Sequence, residues 1–170
     1  MKSLLCISFI IATSIFADQI VDSEKLIFPE YVTAINGKVI DITELAKQKT
    51  VVVVTLKATW CSVCQVQLQR IRDKLGETAV CNLTFLVLSP GPAEELEQIQ
   101  VRIGFPFPFI VDTNLEIAKS LDLQLRDNEI IPSILVLDKN RQINWMQKGR
   151  NAFYFGDPEL MDALNCKGWI

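Results

Sequence analysis

The sequence predicts one mixed α/β domain in three layers, a central mixed sheet with helices on both faces. Three observations carry that prediction. Two apolar runs, Thr50 to Leu56 with its consecutive valines and Leu83 to Leu88, have the composition of strands buried on both faces. A segment of helical spacing follows each run. A hairpin pattern and a last helix pattern then close the chain. The length of 170 residues fits a single domain, and 49% hydrophobic against 22% charged residues is the balance of a globular chain.

The elements come in order along the chain. Tyr31 to Ile35 and Lys38 to Ile40 flank Asn36-Gly37, which favours a type I′ hairpin turn. Asp41 can cap a short helix through Lys47. After the valine strand, Cys64, Leu68, Ile71 and Leu75 share one face of a helix that ends near Gly76. The second buried strand runs into Ser89-Pro90-Gly91-Pro92, which breaks the chain before a helix over Ala93 to Ile103. Phe107 to Val111 and Asn114 to Leu121 form an inserted strand and helix. Pro132 opens the strand Ser133 to Leu137, and Gln142 to Met146 pairs back on it. Asp157-Pro158 starts a final helix through about Leu164.

The N-terminus reads as a targeting segment. Lys2 precedes an uncharged run from Leu4 to Phe16, and Ala17 stands before the first acid, Asp18. This predicts a signal peptide over residues 1–17, a domain over residues 18–170, and export to the periplasm or secretion. An uncleaved anchor is the other reading, although the run falls short of the ~20 residues that a spanning helix needs. Cleavage removes Cys6 and leaves Cys61, Cys64, Cys81 and Cys166, an even count suited to an oxidising compartment.

Function classes narrow on the counts of 0 His and 5 Cys. Without histidine, Ser-His-Asp and Cys-His catalysis and every His-ligated metal site are excluded. A formal charge of −3 with no basic stretch argues against nucleic acid as a partner. No phosphate loop or nucleotide fingerprint appears. The cysteines therefore carry the chemistry. Trp60-Cys61-Ser62-Val63-Cys64 lies where a buried strand gives way to a helix. Two intervening residues let both sulfurs meet across the first helical turn. The free N–H groups and dipole of the helix stabilise a thiolate at Cys61. Cys61 is the expected nucleophile and Cys64 the resolving thiol. A zinc half-site and a purely structural disulfide are the other readings. The first lacks two further ligands, and the second is poorly placed as a staple.

These residues resemble the thioredoxin fold. The Trp-Cys-x-x-Cys after a valine-rich strand, and Ile131-Pro132 ahead of a strand and the Asp138 to Arg141 turn, are similar to that family's active site and cis-proline strand. The resemblance implies a thioredoxin-like three-layer fold with an N-terminal hairpin and an inserted strand-helix. It implies that Ile131 and Pro132 bind substrate and that Trp60 is a surface platform. Asn36-Gly37-Lys38-Val39-Ile40-Asp41 and the insertion from Phe107 to Leu121 are similar to exported TlpA/ResA-type proteins of the redoxin, AhpC/TSA-like group. The insertion is similar to peroxiredoxins as well. The function this resemblance implies is that of a thiol-disulfide oxidoreductase of reductase or isomerase type. It would need no cofactor and no metal. Its partners would be cysteine-containing exported proteins and a thiol electron donor or acceptor. A thiol peroxidase and a non-catalytic binding module are the alternatives.

The sequence also departs from these families. Thr55 stands where thioredoxin keeps a buried acid, and Lys57 falls on the same strand face as Thr55. Val54 and Ala58 stand where peroxiredoxins carry proline and threonine. In the thioredoxin topology Cys81 and Cys166 fall at the pole away from the redox pair, which permits a bridge that would stabilise the fold by ~4 kcal/mol. Two unrelated buried thiols are the other reading. Phe105-Pro106-Phe107-Pro108-Phe109 reads as a loop entering the core rather than a peptide-binding lip. Glu94, Glu95 and Glu97 read as acids at a helix start.

Overall fold

The computed structural model describes residues 26–78 and 81–149. The expected signal peptide over residues 1–17, the final helix and Cys166 lie outside them. Among the described residues no helix is long and apolar enough to cross a membrane.

A five-stranded sheet forms the centre, in the order β5-β4-β3-β8-β9. The valine run is β3 (Thr50–Thr55) and the second apolar run is β4 (Leu83–Ser89). They pair in parallel from Thr50 opposite Leu83 to Thr55 opposite Leu88. β5 (Phe109–Val111) extends the parallel half beside β4. On the other side β8 (Ser133–Leu137) runs antiparallel to β3, and β9 (Ile143–Lys148) antiparallel to β8. The sheet is thus mixed, as the sequence predicts.

Side-chain alternation along β3 splits the core in two. Val52, Val54 and Leu56 pack under α2 (Ser62–Asp73) and α4 (Ala93–Ile103) with Phe85, Val87 and Ile134. Val51 and Val53 face the opposite layer with Leu86, Leu88 and Leu135. That layer takes Ile42 of α1 (Ile42–Gln48) and Ala118 of α5 (Glu116–Ser120). A short helix α3 (Leu75–Thr78) follows α2. Each terminus has a local cause. The Asp41 carboxylate accepts the Glu44 N–H at 2.9 Å and starts α1. Gly104, in the left-handed region at φ 69°, ends α4.

The N-terminal hairpin joins β1 (Tyr31–Thr33) to β2 (Val39–Asp41) and docks on β5 through an Ala34–Ile110 bridge. Its turn differs from the expected type I′. Gly37 alone takes a positive φ, 79°, and donates to the Ala34 carbonyl at 2.8 Å. The result is a three-residue loop with glycine at the bulge position. Asn36 spends its carboxamide oxygen on the Lys38 N–H instead.

The Phe-Pro segment enters the core, with Phe105 and Phe109 buried and Phe105 edge-on to Phe85, Phe107 and Phe109. Strand β5 starts at Phe109, later than expected, because Pro106 and Pro108 carry no N–H for a ladder. A second small hairpin, β6 (Gln124–Arg126) with β7 (Glu129–Ile130), stands between α5 and β8. The sequence pattern gives no warning of it.

Candidate redox site

Strand β3 delivers the chain to the site. Its last residue, Thr55, is buried and is tied to β8. The Thr55 hydroxyl donates to the Ile131 carbonyl at 2.7 Å and accepts the Ser133 N–H at 2.6 Å. Where the related fold carries an acid, this chain uses a hydroxyl to fix the loop before β8. Beyond Thr55, Leu56, Ala58 and Thr59 are buried and Trp60 is 64% exposed.

Cys61 and Cys64 form a disulfide, with Cα atoms 5.3 Å apart. Cys61 is the N-cap of α2, and its sulfur accepts the Cys64 N–H at 3.3 Å. No acid of its own occupies the first turn of α2, whose positive end faces Cys61. Cys61 is partly exposed, whereas Cys64 is 1% exposed and packs with Leu68 and Ile71. Cys61 is the more exposed residue of the pair, and Cys64 lies in the core behind it. The expected division between the two cysteines fits this placement.

Polar contacts hold the loop from the α4 side. The Thr59 hydroxyl donates to the Glu95 carboxylate. The Gln65 carboxamide donates to the Thr59 carbonyl at 2.7 Å and accepts from Arg102 at 2.8 Å. Glu95 thus does more than complement a helix dipole. Among the described residues no group of three or more His, Cys, Asp or Glu side chains could hold a metal ion.

Lys57 reaches the motif. Its Nζ lies 4.8 Å above the Trp60 ring and 3.3 Å from Glu129 Oε2. The Ile130 N–H donates to the Lys57 carbonyl at 3.1 Å and locks β7 beside this stretch. Glu129 escapes a reading of the sequence because the hairpin that carries it has no periodic signal. The neighbouring Lys57 is visible on strand alternation alone.

Ile131 and Pro132 sit at the start of β8 and are partly buried. The expected cis-proline is not found there: among the described residues the cis bond is Gly91–Pro92. The Ile131–Pro132 segment instead leads into β8 without a cis bond. Three bonds hold it: Ile131 donates to the Leu123 carbonyl at 2.7 Å, and its own carbonyl accepts from Thr55 and from the Ser133 hydroxyl at 3.0 Å. Both backbone groups of Ile131 are therefore engaged within the chain. Trans is also the lower-energy state of an X–Pro bond, by ~0.5–1 kcal/mol. Cys81 is disulfide-bonded, and Cys166, its expected partner, lies outside the described residues.

Comparison with known proteins places this geometry. No curated protein matches the chain. Among solved structures, peroxidoxin BcpB from Mycobacterium tuberculosis is 15% identical with a TM-score of 0.68, covering 84% of this chain and 96% of that one. Xanthomonas campestris peroxiredoxin Q is 15% identical with a TM-score of 0.69, over 84% and 97%. The mitochondrial 2-Cys peroxiredoxin from Plasmodium falciparum is 14% identical with a TM-score of 0.65, over 84% and 91%. At these identities the likeness shows the fold, a thioredoxin-like α/β fold with a central mixed sheet. The model of the AhpC/TSA family matches residues 27–146. With most of its length matched, the chain belongs to the AhpC/TSA family.

Proposed function

We propose that this chain is a thiol-based oxidoreductase that cycles Cys61 and Cys64 between dithiol and disulfide, exchanging disulfides with cysteine-containing exported proteins. The observation that carries it is the pair itself, a disulfide with one partly exposed sulfur at a helix N-terminus and one buried sulfur behind it. The Cys61 thiolate attacks a substrate disulfide and expels one substrate thiolate, which takes up a proton. Cys64, deprotonated, then attacks Cys61 within the mixed disulfide and expels the second. Two electrons pass to the substrate, and an external thiol returns them. The disulfide carries the electrons, so no cofactor is required. The exposed ring of Trp60 is the proposed substrate platform, with Ile131 and Pro132 as further substrate-binding residues. Export, by way of residues 1–17, and TlpA/ResA-type specificity belong to the same proposal.

Reduction of peroxide at Cys61 is the second reading. The AhpC/TSA membership and the peroxiredoxin neighbours back it better than they back protein disulfide exchange. Here the Cys61 thiolate attacks the peroxide, releases water or an alcohol, and becomes a sulfenic acid. Cys64 condenses with it, releasing water and closing the same disulfide. The residues beside Cys61 favour exchange instead, because Val54 and Ala58 place buried apolar groups where peroxiredoxins carry proline and threonine.

One experiment separates the readings. The reduced full chain is mixed with insulin and, separately, with hydrogen peroxide, with Cys61→Ser as the control. Exchange predicts insulin reduction and peroxide loss no faster than with a free thiol. Peroxidase activity predicts the reverse. Activity that survives in Cys61→Ser would overturn both.

A further inference from the structure

A charge pair beside the redox loop is used by neither reading. Lys57 and Glu129 come from different elements, and the Ile130-to-Lys57 backbone bond holds them together. Their side chains are only 26% and 13% exposed. Glu129 Oε2 is buried and accepts no hydrogen bond among the described residues. Two cations face it, Lys57 Nζ at 3.3 Å and Arg126 Nε at 3.7 Å. On its other side Lys57 lies over Trp60, the residue that precedes Cys61. A surface ion pair of this separation contributes little, but one held out of water keeps most of its field.

We propose that Glu129 and Lys57 are positioning residues that set the charge beside Cys61 and so its thiolate fraction. This inference rests on Cys61 being the attacking sulfur. The carboxylate offsets the ammonium and holds it over the indole. Without the carboxylate, an unbalanced cation stands next to the redox loop and favours the thiolate. Without the ammonium, a poorly compensated carboxylate disfavours it. Other charges near the loop act from the α4 side and are the same in every variant of the test: Glu95 is bonded to Thr59, and Arg102 to Gln65. Arg126 faces Glu129 from its own hairpin.

The test is the pH profile of Cys61 alkylation in the reduced full chain, read by mass on the Cys61 peptide. Glu129→Gln is expected to lower the Cys61 thiolate pKa, and Lys57→Gln to raise it, each by about half a unit. The double variant Lys57→Gln with Glu129→Gln is expected to return toward wild type. Opposite signs that cancel are not what a loosened loop would give. If one single variant fails to fold, the other and the double variant still decide the sign. Shifts of the same sign, or none, would overturn the proposal. This readout needs no substrate. Loss of the shifts with insulin or peroxide turnover intact would sink this inference alone. Shifts without turnover would sink the functional reading alone.

Discussion

The body of β3 and its carboxyl end are built on different principles. From Val51 to Val54 the strand is buried and apolar, and so are its partners on β4 and β8 apart from Thr84, opposite Val51. From Thr55 to Cys61 the same strand's continuation turns polar while staying largely buried. Thr55 bonds to β8, the Lys57 carbonyl to β7 and its ammonium to Glu129, and Thr59 to α4. Each polar residue fastens the loop to a different element. The body supplies free energy through burial. The end supplies little of that, and instead fixes where a reactive sulfur sits. Buried polar groups are costly unless paired, so their concentration here marks the place where positioning outweighs packing.

The contrast can be broken from either side. Beside the body, Leu86→Ala removes the fully buried β4 partner of Val53 and is expected to cost about 2–5 kcal/mol in denaturant unfolding. Activity per folded molecule should stay unchanged, and a specific activity loss at full folding would blur the division. At the end, Thr55→Val keeps the shape but strands the buried Ser133 N–H, at a cost of about 1–3 kcal/mol. Faster hydrogen exchange at the Ser133 amide should accompany it. An unchanged amide would mean that the hydroxyl does not hold the loop.

The smallest effect is expected far from both regions. The Lys148 ammonium, 2.9 Å from Asp122, holds its carboxyl below the ordinary 3.8. The folded value lies below the unfolded one, so this contribution is present above the unfolded value and fades as pH falls through the folded one. Lys148→Ala should return the Asp122 titration, followed by NMR, toward 3.8. An unmoved titration would show that this exposed pair is not formed in solution.

The body of β3 is legible in the sequence because four valines in a row have few other uses. The disulfide pair is legible because cysteine spacing and helix start coincide. Asp41 announces its helix by residue type alone. What escapes is polar and short. β6 is three exposed residues long and β7 is only two residues long, so no alternation could reveal them. Glu129 is hidden with them. The expectation of a cis bond at Ile131–Pro132 comes from resemblance, and the Thr55 hydrogen bonds that hold that segment are long-range. The same holds for the Thr59–Glu95 contact. Such bonds join residues far apart in sequence and leave no periodic trace.

The most direct test of the central claim is trapping on Cys64→Ser. The reduced full chain of this variant, and of Cys61→Ser, is exposed to a model protein disulfide and to hydrogen peroxide, and the adducts are located by peptide mass. Cys64→Ser is expected to accumulate a mixed disulfide or a sulfenic acid at Cys61. Cys61→Ser should gain nothing comparable at the buried Cys64. Equal adducts at Cys64 in Cys61→Ser, or none at Cys61 in Cys64→Ser, would contradict it.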